Sequence, residues 1–235
     1  MSPSIRLYVT EPLHAGASIE ATTAQAHYLR VVMRRGVGDA VGIFNGTDGE
    51  WLSRIATLGR DRARLVAETQ LRPQTEEPDL WLLFAPLKRD ATDLVVQKAT
   101  ELGTARLMPV LTERANASRL NLVRLTAIAT EAAEQCERLT VPRIDPARRL
   151  AEVLAAWPDK RTLVVAMERA RAPPIRPANG PAALLVGPEG GLTAGELDAL
   201  VRHPFVQPAT LGPRVLRAET AAIAGLALLQ AQSDR

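Results

Sequence analysis

Residues 184–191 read Leu-Leu-Val-Gly-Pro-Glu-Gly-Gly, an apolar run that stops at a glycine-rich turn. The run from Ala182 to Val186 is apolar on both faces and too short for a helix, which predicts a buried strand. The glycines of the turn permit unusual backbone conformations and leave room for a ligand on the main chain. Thr193 and Glu196 then have the capping-box spacing that begins a helix. This order predicts either a ligand site at the carboxyl edge of an α/β sheet or a tight connection without a ligand.

A second stretch repeats the order of strand end, glycine turn and helix start. Residues 211–221 read Leu-Gly-Pro-Arg-Val-Leu-Arg-Ala-Glu-Thr-Ala. Neither stretch matches the dinucleotide-binding glycine pattern or the GxxxxGK[ST] phosphate loop. An NAD-dependent α/β enzyme is therefore disfavoured.

Together the two motifs resemble those of the knotted SPOUT class of RNA methyltransferases. More narrowly, GPEGG followed by LGPRVLRAETA is similar to the bacterial family that methylates N3 of a uridine in small-subunit (16S) ribosomal RNA. The similarity covers nearly the whole chain. It departs from the family pattern at Leu125, where relatives often carry a tryptophan, and in the altered segment 115–120. The resemblance implies S-adenosylmethionine as methyl donor, a homodimer and a deep C-terminal trefoil knot.

The composition permits an RNA partner without requiring one. The 235 residues include three Lys against 26 Arg, with a formal net charge of +3. Guanidinium groups keep their charge, form paired hydrogen bonds with phosphates and stack on bases. An organism whose proteins are generally Arg-rich would show the same excess of Arg over Lys. Cys136 is the single cysteine and is expected in a core, so neither an intrachain disulfide nor a zinc-thiolate cluster is expected. The sequence shows no membrane-span or signal-peptide pattern, which predicts a cytoplasmic protein.

The sequence predicts two domains joined by a linker. Residues 1–72 combine short alternating strands, tight turns and one helix capped at Thr22 or Thr23, which indicates a small β-barrel. By resemblance this is a PUA-like RNA-binding domain. Residues 73–79 contain no apolar side chain and form the linker. Residues 80–235 alternate strands and helices, which predicts an α/β domain with a mostly parallel sheet. By resemblance it is the SPOUT methyltransferase domain.

Two helices of the second domain carry further expectations. Asn121 is expected to cap a long helix whose apolar stripe runs to Leu139 and which ends before Pro142. The last helix, about 219–232, is almost wholly apolar. A helix that is apolar all round requires burial on most sides, either in the knot, in a dimer interface or in both.

The resemblance places the methyl donor on main-chain groups of the two glycine turns and of one neighbouring strand end. Backbone groups would read the adenine edge while apolar side chains pack on its ring. The expected donor-binding residues are Met167, Glu168, Val186, Gly187, Pro188, Glu189, Gly190, Gly191, Leu211, Gly212, Val215 and Leu216.

Methylation of uracil N3 requires loss of the N3 proton, which places negative charge on O2 and O4. A nearby cation would stabilise that charge in the transition state. Arg217 is the first candidate, and the alternative is a structural ion pair with Glu219 or Glu189. Glu189 can orient Arg217 or act as a base.

RNA contacts are expected from cations and one aromatic side chain, although solvated protein surfaces show similar patterns. The candidates are Arg6, Tyr28, Arg30, Arg34, Arg35, Lys88, Arg89 and Arg114. The activity that the resemblance implies is methylation of N3 of one uridine in 16S ribosomal RNA, on the assembled 30S subunit and without a metal. The alternatives are a SPOUT enzyme with another target nucleotide and a non-catalytic RNA-binding protein of ribosome assembly.

Overall fold

The computed structural model describes residues 3–115, 120–167 and 172–231. The chain divides into two compact units. The first unit is Met1–Glu76 with Ala133–Val141, and the second is Glu77–Ala132 with Pro142–Arg235. Nothing in the sequence pattern indicated that 133–141 belongs with the first unit, because that segment continues a predicted helix of the second.

The first unit contains one five-stranded sheet in the order β1-β3-β4-β5-β2. Its strand β1 pairs with β3 in parallel, and the other pairs are antiparallel. A π-helical segment continues directly from α1. Strand β2 and the π-helical turn were not predicted. The elements are β1 (Arg6–Tyr8), β2 (Ser18–Ala21), α1 (Thr23–His27), the π-helical segment (Tyr28–Val32), β3 (Ala40–Phe44), β4 (Glu50–Leu58) and β5 (Ala63–Arg72).

A buried charge network lies in this unit. Glu50 is 1% exposed, and its two carboxylate oxygens pair with Arg6 and Arg72, each at 2.6 Å. Arg6 also donates to the carbonyl oxygens of Ala133 at 3.0 Å and Arg138 at 2.8 Å. These bonds tie residues 133–141 into the first unit, because a buried guanidinium requires acceptors for its donors.

One of the predicted tight turns of the first domain follows β3 and is confirmed, with Gly46 at φ 85°. The Asp48 carboxylate accepts hydrogen bonds from the Leu13 N–H at 2.8 Å and from Asn45 Nδ2 at 2.7 Å. The Leu13 bond, followed by the Asn45 bond, lowers the pKa of the Asp48 carboxyl below its ordinary value, because both bonds favour the charged form.

The second unit is built on a parallel sheet in the order β12-β10-β11-β6-β7-β8, with β9 also pairing with β7. Every strand pair in it is parallel. The predicted α/β sheet is confirmed, whereas the trefoil knot stays a prediction. The elements are β6 (Leu80–Phe84), α2 (Arg89–Glu101), β7 (Arg106–Leu111), α3 (Leu122–Gln135), β8 (Arg143–Ile144), β9 (Arg148–Arg149), α4 (Leu150–Ala155), β10 (Thr162–Ala166), β11 (Ala182–Val186), α5 (Ala194–Val201), β12 (Val206–Ala209) and α6 (Ala218–Gln230).

Helix α6 packs closely on the central strand β11. A Cβ atom at Gly225 would lie 2.6 Å from Cδ2 of Leu184, so any larger residue there would force the Leu184 side chain to move. Helix α3 ends earlier than predicted, at Gln135, and Glu137 follows with φ 62°. A left-handed residue of this kind stops a helix. Leu125 is fully buried, whereas Cys136 is half-buried rather than part of a core.

None of the helices in the described ranges is both long enough and apolar enough to cross a membrane. Among the described residues, no group of three or more His, Cys, Asp or Glu side chains is arranged to hold a metal ion.

Candidate functional site

A cavity of about 350 Å³ opens where β10, β11 and β12 end. These strands are neighbours in the sheet and all run in parallel, so their carboxyl ends meet at one edge. That edge is where open α/β sheets bind ligands. The volume lies within the usual range for small-molecule sites, about 300–1,000 Å³. The lining is Arg114, Ala166, Met167, Val186, Gly187, Pro188, Glu189, Gly190, Gly191, Leu192, Leu197, Thr210, Leu211, Gly212, Arg214, Leu216, Ala218 and Ala221.

The wall of this cavity is mainly the backbone of the two glycine turns and apolar side chains. At Gly187, a Cβ atom would lie 3.2 Å from Cγ of Leu192, so the turn leaves little room for a side chain there. Gly191 and Gly212 have φ 69° and φ 113°, and residues with a side chain rarely adopt such positive φ values. The site can therefore hold a ligand against main-chain groups.

Helix α5 begins at the predicted capping box, which is confirmed. Thr193 Oγ1 accepts from the Glu196 N–H at 3.2 Å, and Glu196 Oε2 accepts from the Thr193 N–H at 2.8 Å. The second oxygen, Oε1, accepts from the Glu113 N–H at 2.8 Å. Because Glu113 follows β7, Glu196 ties the end of that strand to the start of α5.

Arg114 lies on the glycine turn that follows β11. Its Nη1 donates to the Gly190 carbonyl oxygen at 2.8 Å. A Cβ atom at Gly190 would meet Cδ and Cβ of Arg114 at 3.5 and 3.6 Å, so the aliphatic part of this side chain packs on the Gly190 backbone. Arg114 is nevertheless exposed at its other side, which places a positive charge at the mouth of the cavity.

The other charged residues at or near the cavity are exposed and make fewer contacts than Arg114. Glu189 and Arg214 line the cavity and are exposed. Arg217 is the N-cap residue of α6, its side chain is 86% exposed, and its Nη1 is 4.0 Å from Glu219 Oε1. Arg217 does not belong to the described lining. Arg217 and Glu219 are therefore only at the limit of ion-pair distance. Among the described residues, Arg217 forms no ion pair with Glu189.

Most of the predicted donor-binding residues meet at this cavity. Val215 does not line it and is 50% exposed, and Glu168 lies outside the described residues. The predicted donor-binding set leaves out several other lining residues, because a motif does not show which of its own or its neighbours' side chains face a cavity. These are Ala166, Leu192, Leu197, Thr210, Arg214, Ala218 and Ala221.

The predicted RNA-contact residues differ in how exposed they are. Arg6 is 8% exposed, and its donors are bonded to Glu50 and to three main-chain carbonyls. The prediction that Arg6 contacts RNA is therefore corrected: its role is structural. Tyr28 is half-buried against the core of the first unit. The remaining candidates, except for half-buried Arg35, are exposed, and Arg34 has the unusual φ of 52°. The exposed candidates are Arg30, Arg34, Lys88, Arg89 and Arg114.

Two family models match the chain, one in each part. An RNA methyltransferase domain matches residues 75–230, and an RNA methyltransferase PUA domain matches residues 21–68. The predicted fold, a PUA-like domain followed by an α/β methyltransferase domain, is confirmed.

Curated relatives match nearly the full chain. Ribosomal RNA small subunit methyltransferase E of Rickettsia conorii is 34% identical over 94% of this chain and 93% of its own length. The protein of the same name from Synechocystis is 32% identical over 96% of this chain and 77% of its own length.

Two solved structures have the same fold and were determined with the methyl donor. Ribosomal RNA small subunit methyltransferase E of Neisseria gonorrhoeae, bound to S-adenosylmethionine, has a TM-score of 0.89 at 29% identity and covers 97% of each chain. A putative methyltransferase of Legionella pneumophila, also with bound S-adenosylmethionine, has a TM-score of 0.86 at 29% identity and 97% coverage of each chain.

Proposed function

The chain belongs to the ribosomal RNA small subunit methyltransferase E family, and we propose that it transfers a methyl group from S-adenosylmethionine to N3 of one uridine in 16S ribosomal RNA. The observation that carries the proposal is the cavity at the carboxyl ends of β10, β11 and β12. Two glycine turns form its wall, and its volume of about 350 Å³ suits a nucleoside-sized ligand. Relatives of the same fold hold S-adenosylmethionine.

The donor fits a site made of backbone and apolar surface. S-adenosylmethionine supplies a methyl group that its sulfonium already makes electrophilic, so the protein has to hold the reactants in line rather than activate the donor. In this proposal the two turns, 186–191 and 211–216, bind the donor through main-chain groups. Leu192, Leu197 and Ala221 exclude water from its apolar parts, because all three line the cavity.

On the acceptor side, Arg217 and Glu189 remain the proposed catalytic residues. Arg217 would stabilise negative charge on the uracil ring, and Glu189 would orient it or take the N3 proton. Because the Arg217 side chain is 86% exposed, its charge is fully effective only when the substrate covers it and excludes water.

Arg217→Ala is expected to lower turnover by about 10²-fold, the usual loss for one transition-state donor, while the affinity for S-adenosylmethionine stays unchanged. Single-turnover kinetics and calorimetry would measure the two quantities. Normal turnover of the variant would contradict the assignment.

We further propose that the protein acts as a homodimer on the assembled 30S subunit in the cytoplasm. Helix α6 has no charged residue between Glu219 and Gln230, yet part of its surface is open, with Leu228 42% exposed. A second copy covering that apolar face would account for its composition. Sedimentation should show a dimer, and a monomer that still methylates would contradict the proposal.

The direct test is transfer of labelled methyl from S-adenosylmethionine to small ribosomal subunits from cells that lack this protein. Nucleoside analysis should recover the label as 3-methyluridine. Label in another nucleoside would show that the enzyme uses the same methyl donor but methylates a different nucleotide. Donor binding without any transfer to 30S subunits or to free 16S RNA would favour a non-catalytic role in ribosome assembly.

A further inference from the structure

The described start of the loop after β7, residues 112–115, is held at the cavity by two separate contacts. Glu196 fixes its main chain, since Oε1 accepts from the Glu113 N–H at 2.8 Å while Oε2 accepts from the Thr193 N–H at 2.8 Å. The next residue, Arg114, fixes its side chain by donating to the Gly190 carbonyl oxygen at 2.8 Å. In the absence of substrate, the Gly190 bond therefore holds the Arg114 guanidinium at the cavity.

Among the described residues, the Arg114 guanidinium has one hydrogen-bond acceptor, the Gly190 carbonyl oxygen. A guanidinium has five N–H donors, so other donors can bind an incoming group. Arg114 lines the cavity and is also exposed, so an incoming group can reach its remaining donors. By contrast, Arg217 lies outside the described lining with a side chain that is 86% exposed. Preorganised donors stabilise developing charge without reorganisation during the reaction, which makes them more effective than mobile ones.

We propose that Arg114 donates to a carbonyl oxygen of the target base and stabilises the negative charge that develops there, with Glu196 as its positioning residue. This inference rests on the proposed function. The N3–H bond is replaced by an N3–methyl bond: the proton leaves to a base, either Glu189 or water, and the sulfur keeps the electron pair of its broken bond to methyl. Negative charge therefore accumulates on the acceptor, beside Arg114.

The test compares Arg114→Ala, Arg114→Lys and Glu196→Gln with Arg202→Ala, which removes an exposed arginine at the opposite end of α5. Arg114→Ala is expected to lower kcat on 30S subunits about 10²-fold with an unchanged calorimetric Kd for S-adenosylmethionine. The lysine variant should retain part of the rate because it keeps the charge but loses the fork geometry. Glu196→Gln should lie between wild type and Arg114→Ala, because an amide keeps a single acceptor oxygen for two N–H groups.

The pH profile separates stabilisation of charge from a structural role. Without Arg114 the N3 proton is harder to remove, so the rate deficit should shrink as pH rises and hydroxide removes that proton. Arg202→Ala should match wild type at every pH, and urea unfolding of all variants would identify any loss of folding.

Two results would overturn the proposal. A Kd for S-adenosylmethionine that weakens in step with the rate would show that Arg114 binds the donor, whose methionine carboxylate has similar chemistry. A raised KM for RNA with an unchanged kcat and pH profile would show a phosphate contact only. The product of the wild-type enzyme tests the proposed function separately from this inference. A product other than 3-methyluridine would show that the proposed target atom is wrong. The kcat and Kd values of the Arg114 variants would still test the role of Arg114.

Discussion

Replacing Glu50 by Ala is expected to lower the free energy of unfolding by about 3–5 kcal/mol, the usual loss when one partner of a buried ion pair is removed. Glu50 is 1% exposed, and both of its oxygens are paired at 2.6 Å, with Arg6 and with Arg72. The variant leaves the Arg6 guanidinium buried without a counter-charge. Urea unfolding followed by circular dichroism, in the absence of ligand, would measure the loss.

A matched control is Glu68→Ala, which removes an ion pair with Arg54 at the surface of the same unit. Those side chains are 41% and 48% exposed and 3.2 Å apart, so the expected loss is below about 1 kcal/mol. Equal losses for the two variants would show that burial of the Glu50 network contributes nothing to stability.

Gly212→Ala is expected to weaken binding of S-adenosylmethionine by roughly 10- to 100-fold. Gly212 has φ 113°, and a Cβ atom there would meet nothing within 4 Å, so the penalty is backbone strain of about 1–3 kcal/mol rather than a clash. The exposed turn can relieve this strain by changing its conformation. Donor binding must then restore the original conformation, and the free energy that this requires lowers the affinity. Each 1.4 kcal/mol corresponds to about tenfold in affinity. Calorimetry would measure the change.

Gly180→Ala provides the control for this prediction. Gly180 has φ 118° and equally open surroundings, but it does not line the donor cavity. It should lose similar stability while binding the donor normally. If both variants weaken donor binding to the same extent, the effect is general instability and the role of the 211–216 turn is wrong.

The two glycine motifs carried most of the correct predictions. The family resemblance is confirmed by the full-length relatives, and the strand before each turn is present. The capping box at Thr193 is confirmed as well. The strands, the turns and the capping box depend on neighbours within a few residues, so local spacing was enough to predict them.

The arginines show where sequence reasoning was insufficient. Arg6 and Arg114 were both predicted to contact RNA, but one is buried in a charge network and the other lies at the cavity mouth. No local pattern separates them, because the partners of Arg6 and Arg114, Glu50 and Gly190, are 44 and 76 residues away in the chain.

By itself, the sequence determined the glycine turns, the start of α5, the parallel α/β class and the family. Only the tertiary structure decided which cations are buried and which face the cavity, and that residues 133–141 join the first unit. The physical reason is that burial and long-range hydrogen bonding assign the role of a charged side chain, and neither is encoded in the residues beside it.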